Sequence, residues 1–225
     1  MTLVATGLTS YVLGATNGLP RAIAQPSQAT NYPSDIDPRS HNRLPYPKRE
    51  DLDALGQAQY DETVNDPNSL AGLIGPGGIR IYNSELNAAA RPVNQYLRFK
   101  AGIPRNIAEL AVLATAREVD AHFEWAAHEP AALKVGVAPA TIDIVRNRRP
   151  LDGVPEPDAT VIELAREAVG KHHVSSATYQ RALNAFGRKE LIALDGLMGD
   201  YAATAILLAT FDMHLPPGAV SKLPE

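Results

Sequence analysis

The chain contains no cysteine. That absence excludes disulfides, thiolate metal sites and thiol redox chemistry in any compartment. Runs of like charge are missing too: the formal net charge of −4 comes from interspersed signs. Such a surface carries no electrostatic footprint for nucleic acid, so no nucleic-acid partner is expected. Past the N-terminal stretch, nothing approaches the roughly 18 continuous apolar residues of a membrane helix, and no membrane partner is expected. Strand-like alternation never persists for more than a few residues, and no repeat appears at solenoid periods. Small molecules and further copies of the chain remain as partners.

The sequence is rich in helical periodicity. Its 225 residues, 45% of them hydrophobic, suffice for one substantial core with a decorated terminus. Residues 3–24 are apolar and end in Ala22-Ile23-Ala24, a small-x-small pattern like a signal cleavage site, but no positive charge precedes them. Localisation therefore stays open between cytoplasm and periplasm. Residues 25–47, rich in Pro, Ser, Asn and Asp, read as an extended arm closing a leading segment 1–47. A helical domain follows over 48–217, and 218–225 form a tail. Within the domain, Leu52, Leu55 and Tyr60 mark a helix over 48–64. Ser84 caps a helix over 84–100 that carries Leu86, Ala90, Val93 and Leu97 on an apolar face and is kinked or divided at Pro92. Helices over 139–147 and 158–171 follow. Two more, over 176–186 and 188–208, break at Gly187; Ile192, Leu194, Leu197, Ala202, Ile206 and Leu207 make the last a central helix. The sum is an all-α fold of about six to eight helices. Gly75-Pro76-Gly77-Gly78 lacks the Gly-Lys-Ser/Thr ending of a phosphate loop and reads as backbone flexibility near a pocket. His172-His173 lacks a spaced third ligand for a metal, and the basic residues 146–149 complement a helix C-terminus.

The densest polar set lies in residues 105–130. Helix formers dominate, Pro104 suits a first turn and Pro130 marks the end, so the simplest reading is one long helix. At about 100° per residue, Arg117, Ala121, Glu124 and His128 then share one stripe roughly 60° wide. Such a stripe is either a solvated face with ordinary intrahelical pairs or the face of a site. His122 and His128 diverge by about 120°, so a metal centre on them is not expected.

Glu109, eleven residues, Ala121, two residues, Glu124, three residues, His128 resembles the signature of the carboxymuconolactone decarboxylase and alkylhydroperoxidase D family. There a Glu, two cysteines and a His occupy those spacings. Arg117-Glu118 before it and the run 128–137 after it are similar as well, and the likeness extends over 44–216. The resemblance implies an alkylhydroperoxidase D-like helical bundle assembling as homotrimers or hexamers. It also implies a proton relay through Glu109 and His128. Ala121 and Glu124 stand where the family has its cysteines, and the peroxiredoxin activity of its thiol members needs a thiolate. The decarboxylase branch needs neither thiol nor cofactor. The expectation is thus a lyase for a small carboxylated compound, a lactone or aromatic-derived acid. His128 acts as general acid or base, with Glu124 or Glu109 orienting it. Arg117 or Arg98 holds a substrate carboxylate, and His122, Trp125 and Tyr96 complete the pocket. The alternatives are a structural Glu124–His128 pair and an oligomer that binds a small molecule without turning it over.

Overall fold

The computed structural model describes residues 32–67 and 69–224; the signal-like stretch ending at Ala24 lies outside them. The described residues form eight α-helices: α1 (Ala54–Asn65), α2 (Pro76–Arg80), α3 (Ser84–Phe99), α4 (Arg105–Glu118), α5 (His122–Lys134), α6 (Pro139–Arg146), α7 (Asp158–Ala165) and α8 (Ser176–Thr210). The all-α expectation stands, and the extended pairing among these residues is an isolated bridge between Asp37 and Asn42.

The helix buried on every side is α4, from Ile107 through Arg117, against which α5, α6, α7 and α8 pack. Apart from Glu109, its run Ala108-Glu109-Leu110-Ala111-Val112-Leu113-Ala114 has small or aliphatic residues all round, the composition of a helix surrounded by others. This differs from the expectation that the last helix is central. Leu194 and Leu197 of α8 are fully buried, but Ile192 and Ile206 face outward at 72% and 70% exposure. By length and composition α8 could cross a membrane, yet half of its apolar window is buried inside the protein. The break at Gly187 is where the sequence puts it, at φ 68° and ψ 177°, a conformation glycine adopts without steric cost.

The single helix expected over 105–130 is two. Asp120 adopts a left-handed φ of 49°, Ala121 N–H donates to the Ala116 carbonyl, and α5 folds back beside α4. Aspartate is one of the few residues that enter this region readily. Pro130 does not end α5, which runs on to Lys134. Before the proline, His128 bonds Glu109, and Glu129 accepts from Trp125, Arg146 and Lys222; after it, Ala132 is fully buried. These contacts hold the helix across the lost hydrogen bond.

The helix α3 runs undivided through Pro92, and its cap is Asn83, whose side chain accepts from Leu86 N–H. Ser84 instead bonds Asp53, the cap of α1. Leu86 and Val93, expected inside, are exposed. The inward side of α3 is polar: Asn87, Arg91, Asn94 and Arg98, at intervals of four, three and four residues, line a cavity.

The described part of the arm is fixed to the C-terminal end of α8. Arg43 N–H donates to the Phe211 carbonyl and His214 N–H to that of His41, while Ser40, His41 and Asn42 are buried. The tail is anchored as well, by Lys222 on Glu129 and by Leu223 in the main core.

Candidate active site

The cavity encloses about 370 Å³ between α2, α3, α5 and α8. Its floor is built from a row of three ionisable side chains. Glu109, placed by the buried α4, and Glu124 and His128, one turn apart on α5, are each no more than 4% exposed. Glu109 Oε2 is 2.7 Å from His128 Nδ1, and Glu124 Oε2 is 3.5 Å from His128 Nε2. Glu124 and His128 reach the cavity, whereas Glu109 sits behind them.

The two carboxyl groups are displaced in opposite directions. Burial of Glu109 opposes its charge, but His128, Arg98 and Arg105 outweigh that cost and hold its pKa down at about 2. Arg105 donates to Glu109 Oε1 at 2.7 Å and Arg98 at 3.5 Å. Burial raises the pKa of Glu124, more than His128, Arg80 and Arg98 lower it, and Asp200 adds to the rise. An ionised Glu109 only accepts, so the Nδ1 proton of His128 points to it and Nε2 is left facing Glu124. The row can therefore pass one proton between the cavity and a fixed negative charge.

The wall opposite comes from α8. The Tyr201 ring stands edge-on to His128, with centroids 5.0 Å apart. Burial pushes its phenol well above the usual range, against the opposing pull of Arg98, so it stays protonated. Thr204, one turn on, accepts from Arg80 at 2.5 Å and donates to the Asp200 carbonyl at 2.8 Å.

Four cations line the cavity: Arg80, Arg91, Arg98 and Lys100. Glu62 and Asp66 neutralise Arg91, and Arg98 shares Glu109 with Arg105. Arg80 bonds only the neutral Thr204 hydroxyl and forms no ion pair among the described residues. A cavity with this balance favours an anion; exposed Lys100 likewise forms no ion pair among the described residues, so it and Arg80 have the capacity to bind it, and the Arg80 guanidinium can do so with two parallel bonds.

Of the sequence-derived residues, Glu109, Glu124, His128 and Arg98 come together. Arg117, His122, Trp125 and Tyr96 do not line the cavity, and for Arg117 the break at Asp120 is the reason. It takes Arg117 out of register with Glu124, and the Arg117 guanidinium bonds the Arg146 carbonyl and Asp120 instead. Trp125 is fully buried, donates to Glu129 at 3.1 Å and stacks under Arg146. His122 begins α5 away from the cavity, and Tyr96 lies on the exposed side of α3. Sequence reasoning missed Arg80, Arg105, Tyr201 and Thr204. The polar stripe of α3 and the pair Tyr201 and Thr204 in an otherwise apolar stretch were available signals; Arg80 left none. Among the described residues no group of three or more His, Cys, Asp or Glu is placed to hold a metal ion.

Compared with protein-family models, with curated proteins and with solved structures, the chain matches none.

Proposed function

We propose that the cavity is the active site of a cofactor-free lyase of the carboxymuconolactone decarboxylase type, acting on a small carboxylated compound. The observation that carries this reading is the opposite displacement of Glu109 and Glu124 about one imidazole. A site that lowers the pKa of one carboxyl and raises that of another sets its acid apart from its base.

The substrate carboxylate binds Arg80 in a charge-assisted pair, with Thr204 fixing the guanidinium. Loss of CO2 breaks the carbon–carboxyl bond and leaves its electron pair on a carbon conjugated to a carbonyl. Glu124 delivers a proton to that carbon, and His128, restrained by Glu109, restores the proton to Glu124 from solvent. The net reaction consumes one proton and releases CO2. Peroxide reduction through a sulfenic acid is closed to a chain without cysteine.

The test is turnover of a panel of carboxylated lactones and related acids, followed by ultraviolet absorbance, for the native protein and His128→Ala. A peroxide-consumption assay runs beside it. Lactone turnover that disappears in the variant supports the lyase. Undiminished turnover by the variant, or no turnover of any panel member by the native protein, overturns it.

A further inference from the structure

Tyr201 is 5% exposed, forms part of the cavity wall and packs edge-on against His128. Its hydroxyl makes no hydrogen bond to any described residue. Among the described residues, the sealed side-chain polar atoms that make no hydrogen bond are Arg98 Nε, Thr115 Oγ1, Arg146 Nε and His214 Nε2. The Tyr201 oxygen is not among them, so it opens onto the cavity. A hydroxyl that opens onto the cavity and spends no hydrogen bond on the protein can donate to a ligand bound there. Arg98, whose own Nε is sealed and unpartnered, lines the same cavity and is electrostatically coupled to the phenol.

We infer that Tyr201, backed by the charge of Arg98, is an oxyanion site that takes the enolate or phenolate oxygen of a ligand bound beside Glu124 and His128. The inference rests on the lyase reading for its place in catalysis and names the substrate class more closely: the departing carboxyl sits on the carbon next to a carbonyl, or on one joined to that carbonyl through a C=C bond. As the carbon–carboxyl bond breaks, its electron pair moves into that carbonyl and charge gathers on the oxygen. The Tyr201 O–H donates a hydrogen bond to this oxygen and keeps its proton. When Glu124 protonates the carbon, the electron pair returns and the C=O bond reforms. A donor aimed at charge that develops only in the transition state raises kcat more than it lowers KM.

The test uses 4-nitrophenol as a stand-in for the enolate, with the full chain and the visible absorbance of its phenolate as readout. The native protein is expected to bind it as the phenolate and to move its apparent ionisation to lower pH. Tyr201→Phe keeps the ring against His128 and removes only the hydroxyl; it is expected to weaken phenolate binding roughly 10- to 100-fold. On any turned-over lactone it is expected to lower kcat with KM little changed. Equal phenolate affinity in Tyr201→Phe, binding of the neutral phenol alone, or no binding by the native protein overturns the oxyanion site. Glu124→Gln separates the two readings, because it is expected to keep phenolate binding while losing turnover. Phenolate binding that depends on Tyr201, in a protein silent on the lactone panel, supports the oxyanion site and counts against the lyase alone.

Discussion

Glu109 Oε2 and His128 Nδ1 lie 2.7 Å apart although their residues are nineteen positions apart and sit on different helices. That bond ties the most buried helix to the one that faces the cavity. It fixes the imidazole tautomer and gives the site its permanent negative charge.

Replacing Glu109 by Gln removes the counter-charge of Arg98 and Arg105 from a buried position. The expected loss is about 3–5 kcal/mol in chemical denaturation, together with loss of turnover. In the native protein the same carboxylate makes stability acid-sensitive. Its pKa is depressed from 4.5 to about 2, so its contribution is complete above 4.5 and is lost as pH falls toward 2. Glu109→Gln should flatten this acid limb of a stability–pH profile.

Glu124 works in the opposite sense. Burial raises its pKa, so its neutral form is the stabilising one, and that contribution declines as pH rises above 4.5 and through the folded value. Glu124→Gln, which cannot ionise, is expected to melt higher than the native protein at alkaline pH and to lose turnover. A lower melting temperature of the variant at alkaline pH would contradict the assignment.

Arg80→Met leaves Thr204 bonded to the Asp200 carbonyl and takes away a cavity cation that has no ion-pair partner among the described residues. KM for a carboxylate substrate is expected to rise by about 1.5–3 kcal/mol in binding terms, roughly 10- to 100-fold, with kcat changed less. Steady-state kinetics on the substrate found by the lactone panel measures both.

The short helix that presents Arg80 depends on a close approach. A Cβ at Gly78 would run into the Leu73 carbonyl, so Gly78→Ala is expected to destabilise by about 1–3 kcal/mol and to raise KM by displacing Arg80. Gly199 on α8 has nothing within 4 Å of the same position. There the exchange to Ala should stabilise by about 0.5–1 kcal/mol in thermal denaturation.

The sequence by itself determined the helical class and the break at Gly187, and it carried Glu109, Glu124 and His128 as candidates. Periodicity follows from hydrogen bonds and side chains a few residues apart; Glu124 and His128 shared the expected polar stripe, and Glu109 was pointed to by the family-like spacing. Only the tertiary structure decided which residues meet. A single left-handed residue, Asp120, turned one expected helix into two, withdrew Arg117 and folded Glu124 and His128 back over Glu109. The polar side of α3 turned inward for the same kind of reason: the cavity lies there, and Leu86 and Val93 were left outside. Arg80, Tyr201 and Thr204 belong to α2 and α8, far apart in the chain. Their meeting depends on packing across the whole domain, which no local pattern encodes.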